Sequence, residues 1–333
     1  MRLFVFEWLI GGGLLIDCHS FPASAALLAQ ARAMVGAVVA DLRIAGHQVT
    51  TMIDGRWGSV SSGLDVEGRV IDSLTMSELV EQALQADAVW VIAPETGGRL
   101  LNLVLSLESA GCRLLTPGSR FVALAASKQA SAEFLHRHAV QSEWGRLVDL
   151  SREAWPTDWQ PPYVIKPDDG VGSEGLHWVS CETQLPEAGV WRLESLLTGR
   201  AISLSALLGP CGQRLILEPS YQRFDGHPFG HYIGGTWPID EALRRRAVAL
   251  AERALHVLPS AVGIVGFDMV IDPDLPEEND RIVDINPRLT SSYVGLRRMY
   301  ATNLADLAVR IAGGDNPPDS LAYATRAWEF EVT

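Results

Sequence analysis

Two carboxylates and an amide lie where a hard cation would be held. The stretch 263–288 reads G-I-V-G-F-D-M-V-I-D, then a polar loop, then R-I-V-D-I-N-P-R. Both runs are rich in β-branched and aromatic residues, which predicts two strands. The loop over 273–280 carries Pro, Asp, Glu and Asn, residues that end strands and turn the chain. A hairpin centred near Pro276 sets Asp268 opposite Asp284. Side chains on a strand share a face at every second residue, so Asp284 and Asn286 point the same way. A carboxylate on an apolar hairpin is costly unless something pairs with it. Two carboxylates and an amide suit Mg²⁺, whose ligands are oxygens. Strand-end acids with ordinary hydrogen bonds would account for the same pattern.

A second chemical stretch is Y-V-I-K-P-D-D-G-V-G-S-E-G over 163–175. It predicts a strand ending at Lys166, then a mobile loop with Gly170, Gly172 and Gly175 around Ser173. Exposed amides in such loops fold over phosphate oxygens, and Lys166 adds the cation a phosphate wants. The loop is not a Walker A motif, because G-x-x-x-x-G-K-[ST] does not occur. An ordinary hairpin loop is the other reading, and phosphate is favoured. Lys128 stands near the start of a helical segment over 118–138, a position at which a lone lysine is ordinarily solvated.

The elements that position these residues begin with alternating strands and helices. Strands are expected over 2–6, 48–53, 88–93 and 113–115, and helices over 24–45, 77–85 and 99–110. That alternation predicts a parallel sheet with helices on its faces. Ligands of such sheets sit beyond the carboxyl ends of the strands. Glu7, Asp54, Arg56 and Glu95 fall there, each equally able to serve as a cap or a solvated turn residue. Gly11, Gly12 and Gly13 follow the first strand without the G-x-G-x-x-G spacing of a dinucleotide site, so a dehydrogenase is not expected. Two short strands bracket Gly199 within 190–208, and another spans 215–218. A helix over 240–257 carries an arginine patch at 244–246, read as a solvated face. A further helix spans 303–312, and the tail after Gly313 shows little periodicity.

With 333 residues and 47% hydrophobic content, the chain has ample core for two or three domains. It carries 27 basic and 40 acidic residues, a formal charge of −13. No polybasic footprint appears, so nucleic acid is not an expected partner. The four cysteines, Cys18, Cys112, Cys181 and Cys211, are scattered, which fits a reducing cytoplasm better than a disulfide framework. The apolar N-terminus is short and interrupted by Glu7, so a core strand is expected there rather than a signal peptide. No membrane span is expected either.

In order and spacing, Lys128, K-P-D-D-G-V-G-S-E-G, E-S-L-L-T-G, G-F-D-M-V and V-D-I-N-P-R together resemble the ATP-grasp superfamily. The resemblance covers nearly the whole chain, and D-I-N-P-R with the upstream F-D is its most specific part. It implies an α/β (α+β) fold: an N-terminal parallel-sheet α/β domain over 1–117, a small central domain over 118–190, and a C-terminal domain over 191–333. The latter two are expected to clamp ATP between them. By the same resemblance, Lys128 and Lys166 contact the nucleotide, and the loop of Gly170, Gly172 and Ser173 closes over the triphosphate. Glu194 is the acidic hinge residue near the adenine amine, and Leu197 supplies a hinge backbone contact. Asp268, Asp284 and Asn286 hold Mg²⁺, with Mn²⁺ as a substitute. Arg288 faces the γ-phosphate, and Arg288 and Lys166 carry the catalysis. The chain departs from many relatives at Ala201, where a ribose-binding acid is usual, and in an Asp/Asp metal pair where a glutamate is commoner.

Such a protein is an ATP-dependent carboxylate–amine ligase that works through an acyl phosphate, with small-molecule acid and amine substrates. Many are dimers, so a homodimer enters as an expectation. F-E-W-L-I-G-G-G, I-A-P-E, H-Y-I-G-G-T-W-P and I-N-P-R-L-T-S-S-Y-V-G-L-R are similar to the branch that contains tyramine–glutamate ligase of methanofuran biosynthesis. Charge alone makes Arg56, Arg288 and Arg297 candidates for a glutamate-type carboxylate. The rivals are a D-alanine–D-alanine-type or other amino-acid ligase, a kinase of this fold, and a nucleotide-binding regulatory protein without turnover.

Overall fold

The protein is described by a computed structural model covering residues 1–17, 24–57, 68–153, 162–171, 175–179, 188–226 and 231–332. The first layer grows from β1 (Arg2–Glu7), which is buried after Arg2. A single turn, α1 (Gly13–Ile16), follows. Helix α2 (Ala25–Ile44) starts where the Ser24 hydroxyl accepts the Leu27 N–H at 3.2 Å. The strand expected over 48–53 divides at Thr51 into β2 (Gln48–Thr50) and β3 (Met52–Asp54), and the halves join different sheets. β3 pairs in parallel with β4 (Arg69–Ile71). Helix α3 (Met76–Ala83) opens on a reciprocal cap between Thr75 and Glu78. β5 (Ala88–Ile92) and β2 flank β1 in a parallel sheet, and α4 (Arg99–Ser109) follows. The strand expected over 113–115 is reduced to one bridge between Val89 and Leu114.

The helical segment over 118–138 is two helices, α5 (Ser119–Ala125) and α6 (Lys128–Arg137). The Ser127 hydroxyl accepts the Ala130 N–H at 3.0 Å and starts the second afresh. Next comes an antiparallel sheet of β6 (Gly145–Asp149), β7 (Tyr163–Lys166), β8 (His177–Val179) and β9 (Val190–Ser195), in the order β6-β9-β7-β8. The expected boundary at 190/191 falls on the first pair of β9, so the chain leaves this sheet only over 196–199. Gly199 makes that exit. Its φ is +124°, and a Cβ there would lie 2.7 Å from the Ile271 carbonyl.

The last sheet is built around β10 (Arg200–Leu208), followed by β11 (Arg214–Ile216), β12 (Ser220–Phe224) and β13 (Tyr232–Trp237). Helix α7 (Glu241–Val257) comes next, then β14 (Gly263–Ile271) and β15 (Arg281–Asn286). Helices α8 (Tyr293–Met299) and α9 (Leu304–Ala312) precede β16 (Trp328–Glu331). The order is β15-β14-β10-β12-β13-β16, with β11 also on β10. The tail thus supplies an edge strand that its weak periodicity did not announce. Phe121 and Leu135 from the two short helices share a core with Leu243, Ala247 and Leu250 of α7. Two of the three arginines read as a solvated patch are paired instead: Arg244 bonds Glu218 at 2.6 Å, and Arg246 pairs with Asp280. Leu304, Leu307 and Ile311 of α9 join the core of the first layer, which ties the end of the chain to its beginning. By length and apolarity α2 could cross a bilayer, but half of it is buried inside this fold.

Candidate active site

The β14–β15 hairpin has the expected register, with Asp268 opposite Asp284 and Gly266 opposite Asn286. On the other side of β14, Ser203 of β10 is the partner of Asp268. Asp268 accepts from Gln222 Nε2 at 2.9 Å and from Asn286 Nδ2 at 3.1 Å. Burial, followed by the Asp284 charge, pushes the Asp268 carboxyl up to about 6. Among the described residues no group of three His, Cys, Asp or Glu side chains could hold a metal, so an amide must complete any set here. Asp268, Asp284 and Asn286 fit that need. Two carboxylates face each other across a strand pair, and a cation between them would remove the repulsion. Asn286 needs only an amide turn to offer its oxygen. All the donors would be oxygens, as Mg²⁺ requires.

Lys128 is buried, not solvated. Its Nζ donates to the Gly170 carbonyl at 2.8 Å and lies 3.2 Å from Asp284 Oδ2. Burial alone would pull its pKa down, but Asp284, Glu95 and Glu194 carry it above the ordinary lysine value. The signal for this position lies in the neighbouring residues. Asp168 accepts from the Ser127 hydroxyl at 2.6 Å and from the Gln129 N–H at 2.8 Å, so the start of α6 is stitched to the base of the glycine loop. Asp169 ties the same loop to the first layer: Thr96 Oγ1 donates to its carbonyl at 2.8 Å, and the Gly97 N–H to its carboxylate at 2.7 Å. Gly170 lines the cavity described below, whereas Gly172 and Ser173 lie outside the described residues.

Lys166 ends β7 with its Nζ 2.7 Å from Glu194 Oε2. Glu194 also accepts from Arg192 Nε at 2.6 Å. Arg192, only 1% exposed, reaches on to the Glu143 carbonyl at 3.0 Å and to Gln129. Sequence reasoning missed this arginine, which stands two residues from Glu194 on the same face of β9. Burial and then the Glu194 charge push the Glu143 carboxyl up to about 7.

Arg288 makes a fork with Glu95 of the first layer, Nε to Oε1 at 3.0 Å and Nη2 to Oε2 at 3.1 Å. Glu7 is coupled to Arg288 by charge, but its own short bond is to the Ile10 N–H at 2.7 Å. Burial raises the Glu7 carboxyl to about 7.

Glu7, Lys128, Lys166, Glu194, Asp268, Asp284 and Arg288 meet at one cavity of about 940 Å³. Its lining holds Lys128, Lys166, Gly170, Glu194, Leu197, Asp268, Asp284, Asn286 and Arg288, every described member of the expected set. Ala201 lines it too, beside Arg200 at the crossing between sheets. Arg56 and Arg297 are not among the lining residues. Arg56 bonds the buried Asp54, Nε to Oδ1 at 2.9 Å. Arg297 bonds Asp41 of α2, Nε to Oδ2 at 2.8 Å. Both were candidates on charge alone, and each is held by an acid elsewhere. The cavity therefore offers cations and a paired carboxylate site for a polyanion, bounded by three sheets.

Comparison with known proteins bears on this arrangement. An ATP-grasp domain profile matches residues 125–292, and a pre-ATP-grasp domain profile matches 47–122. No curated protein sequence matches the chain significantly. Among solved structures, it is similar to an Archaeoglobus fulgidus protein assigned to the ATP-grasp superfamily, with TM-score 0.72 and 18% identity over 99% of this chain and 98% of that one. Biotin carboxylase from Campylobacter jejuni gives TM-score 0.72 and 14% identity, covering 97% of this chain and 73% of that one. N5-carboxyaminoimidazole synthetase from Staphylococcus aureus, complexed with ADP, gives TM-score 0.70 and 14% identity, covering 97% and 79%. At such identities the likeness is one of fold, and the fold is that of the ATP-grasp proteins. The ATP-grasp domain match runs over half of the 333 residues and takes in Lys128, Lys166, Glu194, Asp268, Asp284, Asn286 and Arg288, and this chain belongs to the ATP-grasp family.

Proposed function

We propose that the protein is an ATP-dependent carboxylate–amine ligase that forms an amide through an acyl phosphate. One observation carries the reading: Lys128–Asp284, Lys166–Glu194 and Arg288–Glu95 are three ion pairs whose cations all open on the cavity that also holds Asp268. Lys128 and Lys166 hold the phosphate oxygens of ATP. Glu194 and Leu197 take the adenine at the crossing between sheets. Arg288 steadies the γ-phosphate against the substrate carboxylate. That carboxylate attacks the γ-phosphorus, the bond to the β-phosphate oxygen breaks, and ADP leaves. The amine then attacks the acyl carbon, the bond to the phosphate oxygen breaks, and phosphate leaves with the amine's proton going to solvent. Mg²⁺, held by Asp268, Asp284 and Asn286, would supply charge neutralisation across the phosphate oxygens when bound. Positioning and fixed charge provide the rest, and no protein nucleophile is needed. Gly170 and Val171, which line the cavity, close its wall beside the phosphates.

The same proposal takes three domains, expected over 1–117, 118–190 and 191–333, with β9 (Val190–Ser195) carrying the central sheet past the second boundary. It takes glutamate as the acid and a tyramine- or tyrosine-like amine, in the making of a methanofuran-type cofactor. Support for these substrates is the motif likeness around Glu7, Glu95 and Arg288, whose side chains converge here. The test is ADP release with Mg-ATP, L-glutamate and a panel of amines, with product masses read in parallel. Amine-dependent ADP release with a condensation mass is expected. ADP release with a stable phosphorylated acid and no amide would make it a kinase instead.

A further inference from the structure

We infer that Arg192 is a positioning residue: it holds Glu194 in place while Lys166 leaves the same carboxylate for phosphate, and the acceptor so freed selects adenine over guanine. The inference rests on the reading that places the adenine at Glu194 and deepens it. Glu194 has a cation on each oxygen. Arg192 Nε donates to Oε1 at 2.6 Å, and Lys166 Nζ lies 2.7 Å from Oε2. The two cations stand on different sides of the carboxylate. Lys166 lines the cavity, and Arg192 does not.

Arg192 sits behind the wall, 1% exposed. It borders a void of about 10 Å³ together with Lys128, Ser131 and Glu143, room for at most one water. Its other two nitrogens are spent as well: Nη2 donates to the Glu143 carbonyl at 3.0 Å, and Nη1 donates to Gln129 Oε1. Gln129 is fixed in turn, by its N–H on Asp168 Oδ1 at 2.8 Å and by Nε2 on Glu133 Oε1 at 2.7 Å. The neighbouring strand makes room for the guanidinium. Gly145 of β6 pairs with Glu194, and a Cβ there would lie 2.8 Å from Arg192 Cζ. A guanidinium bonded at all three nitrogens and shut off from the cavity keeps its partners when a ligand enters. Lys166 differs. Its bond to the Val283 carbonyl is long, at 3.4 Å, and its ammonium, on a flexible stem, can follow a phosphate oxygen. When it does, Glu194 still has a cation. Without Arg192, Lys166 would have to stay, because a buried carboxylate stripped of its cation is costly. The freed Oε2 is an acceptor. Adenine offers it the 6-amino N–H, whereas guanine presents a carbonyl oxygen, and two acceptors facing each other repel.

Calorimetric titration with Mg²⁺ and the non-hydrolysable imido analogues of ATP and GTP tests this without turnover. The wild type is expected to bind the adenine analogue at least about tenfold tighter, the worth of one charge-assisted hydrogen bond. Arg192→Leu is expected to bring the two analogues within about twofold of each other. Loss of packing alone would weaken both alike and leave the ratio unchanged. Arg192→Lys, which returns a cation to Glu194, is expected to recover the preference. Lys166→Met is expected to weaken both analogues and keep the preference, and it decides the matter even if Arg192→Leu does not fold. An unchanged ratio in Arg192→Leu, an equal loss in Arg192→Lys, or a lost ratio in Lys166→Met overturns the inference and leaves the adenine at Glu194. Equal binding of both analogues by the wild type overturns it together with that placement, and amine-dependent ADP release then still decides whether the protein is a ligase.

Discussion

The first layer meets the last through two arginine forks, Arg288 on Glu95 and Arg297 on Asp41, which look alike and differ in what surrounds them. Asp41 is saturated: Arg297 and the Tyr293 hydroxyl, the latter at 2.6 Å, donate to its carboxylate, and Asn303 Nδ2 donates to its carbonyl at 2.6 Å. No lining residue of the cavity belongs to that network. The Glu95 fork borders the cavity through Arg288 and has a second buried acid, Glu7, coupled to it. A closed network locks two layers together, whereas an ion pair on a cavity can exchange its partner for a ligand. Charge and burial alone do not separate the two; the neighbours do.

The largest effect is expected on the cavity side. Asp284→Asn removes one of the two facing carboxylates and the partner of Lys128. Turnover should fall by about 10³-fold, while the apolar hairpin around it keeps the fold. Initial rates of ADP release and thermal melting check the two halves of that statement. Near-normal rates would sink the metal assignment. Arg288→Lys keeps the charge but loses the fork, because an ammonium cannot reproduce the planar geometry. A drop of about 10²-fold in kcat/KM for the acid is expected, read from saturation curves in the acid substrate.

The Asp268–Asp284 hairpin was legible because its register depends only on local rules. Strand alternation and a polar loop bring Asp268 to Asp284 across 16 residues, and the pairing is as read. Lys166 and Glu194 were legible one at a time, through motif order, but their contact at 2.7 Å joins two strands of a sheet whose other members, β6 and β8, carry too little apolar alternation to be seen. The Glu95 partner of Arg288 lies 193 residues away, and no spacing rule reaches that far. For Lys128 the residue pattern alone gave only an ordinarily solvated lysine, and motif order was what singled it out, because Asp168, which holds the start of its helix, belongs to another segment. Gln222, which fixes Asp268, sits on a strand whose Y-Q-R-F run is half polar, since it faces the cavity rather than a core.

Glu7 sharpens the contrast through pH. Burial lifts its carboxyl from the ordinary 4.5 to about 7 in the folded protein. Between those values the folded state holds a proton that the unfolded chain has released. Stability from this group therefore falls as pH rises from about 4.5 to 7 and levels off above. Glu7→Gln should accordingly raise stability at pH 8 by about 3 kcal/mol, with the gain shrinking to nearly nothing near pH 4.5. Urea unfolding of both proteins across that range measures it. Asp41→Asn, which removes the charge that Arg297 pairs with, is instead expected to lose stability.

Arg297→Lys provides the smallest effect and the most direct comparison with Arg288→Lys. The lysine keeps a charge beside Asp41 but cannot donate two parallel bonds, so about 1 kcal/mol of stability should be lost. The Tyr293 hydroxyl still bonds the carboxylate and Asn303 the backbone of Asp41, which keeps α2, α8 and α9 together. Because Arg297 lies outside the cavity lining, KM for the acid should stay within about twofold of wild type. A rise in KM on the scale expected for Arg288→Lys would mean that the acid reaches the Asp41 seam, and the division between lock and exchangeable pair would then fall.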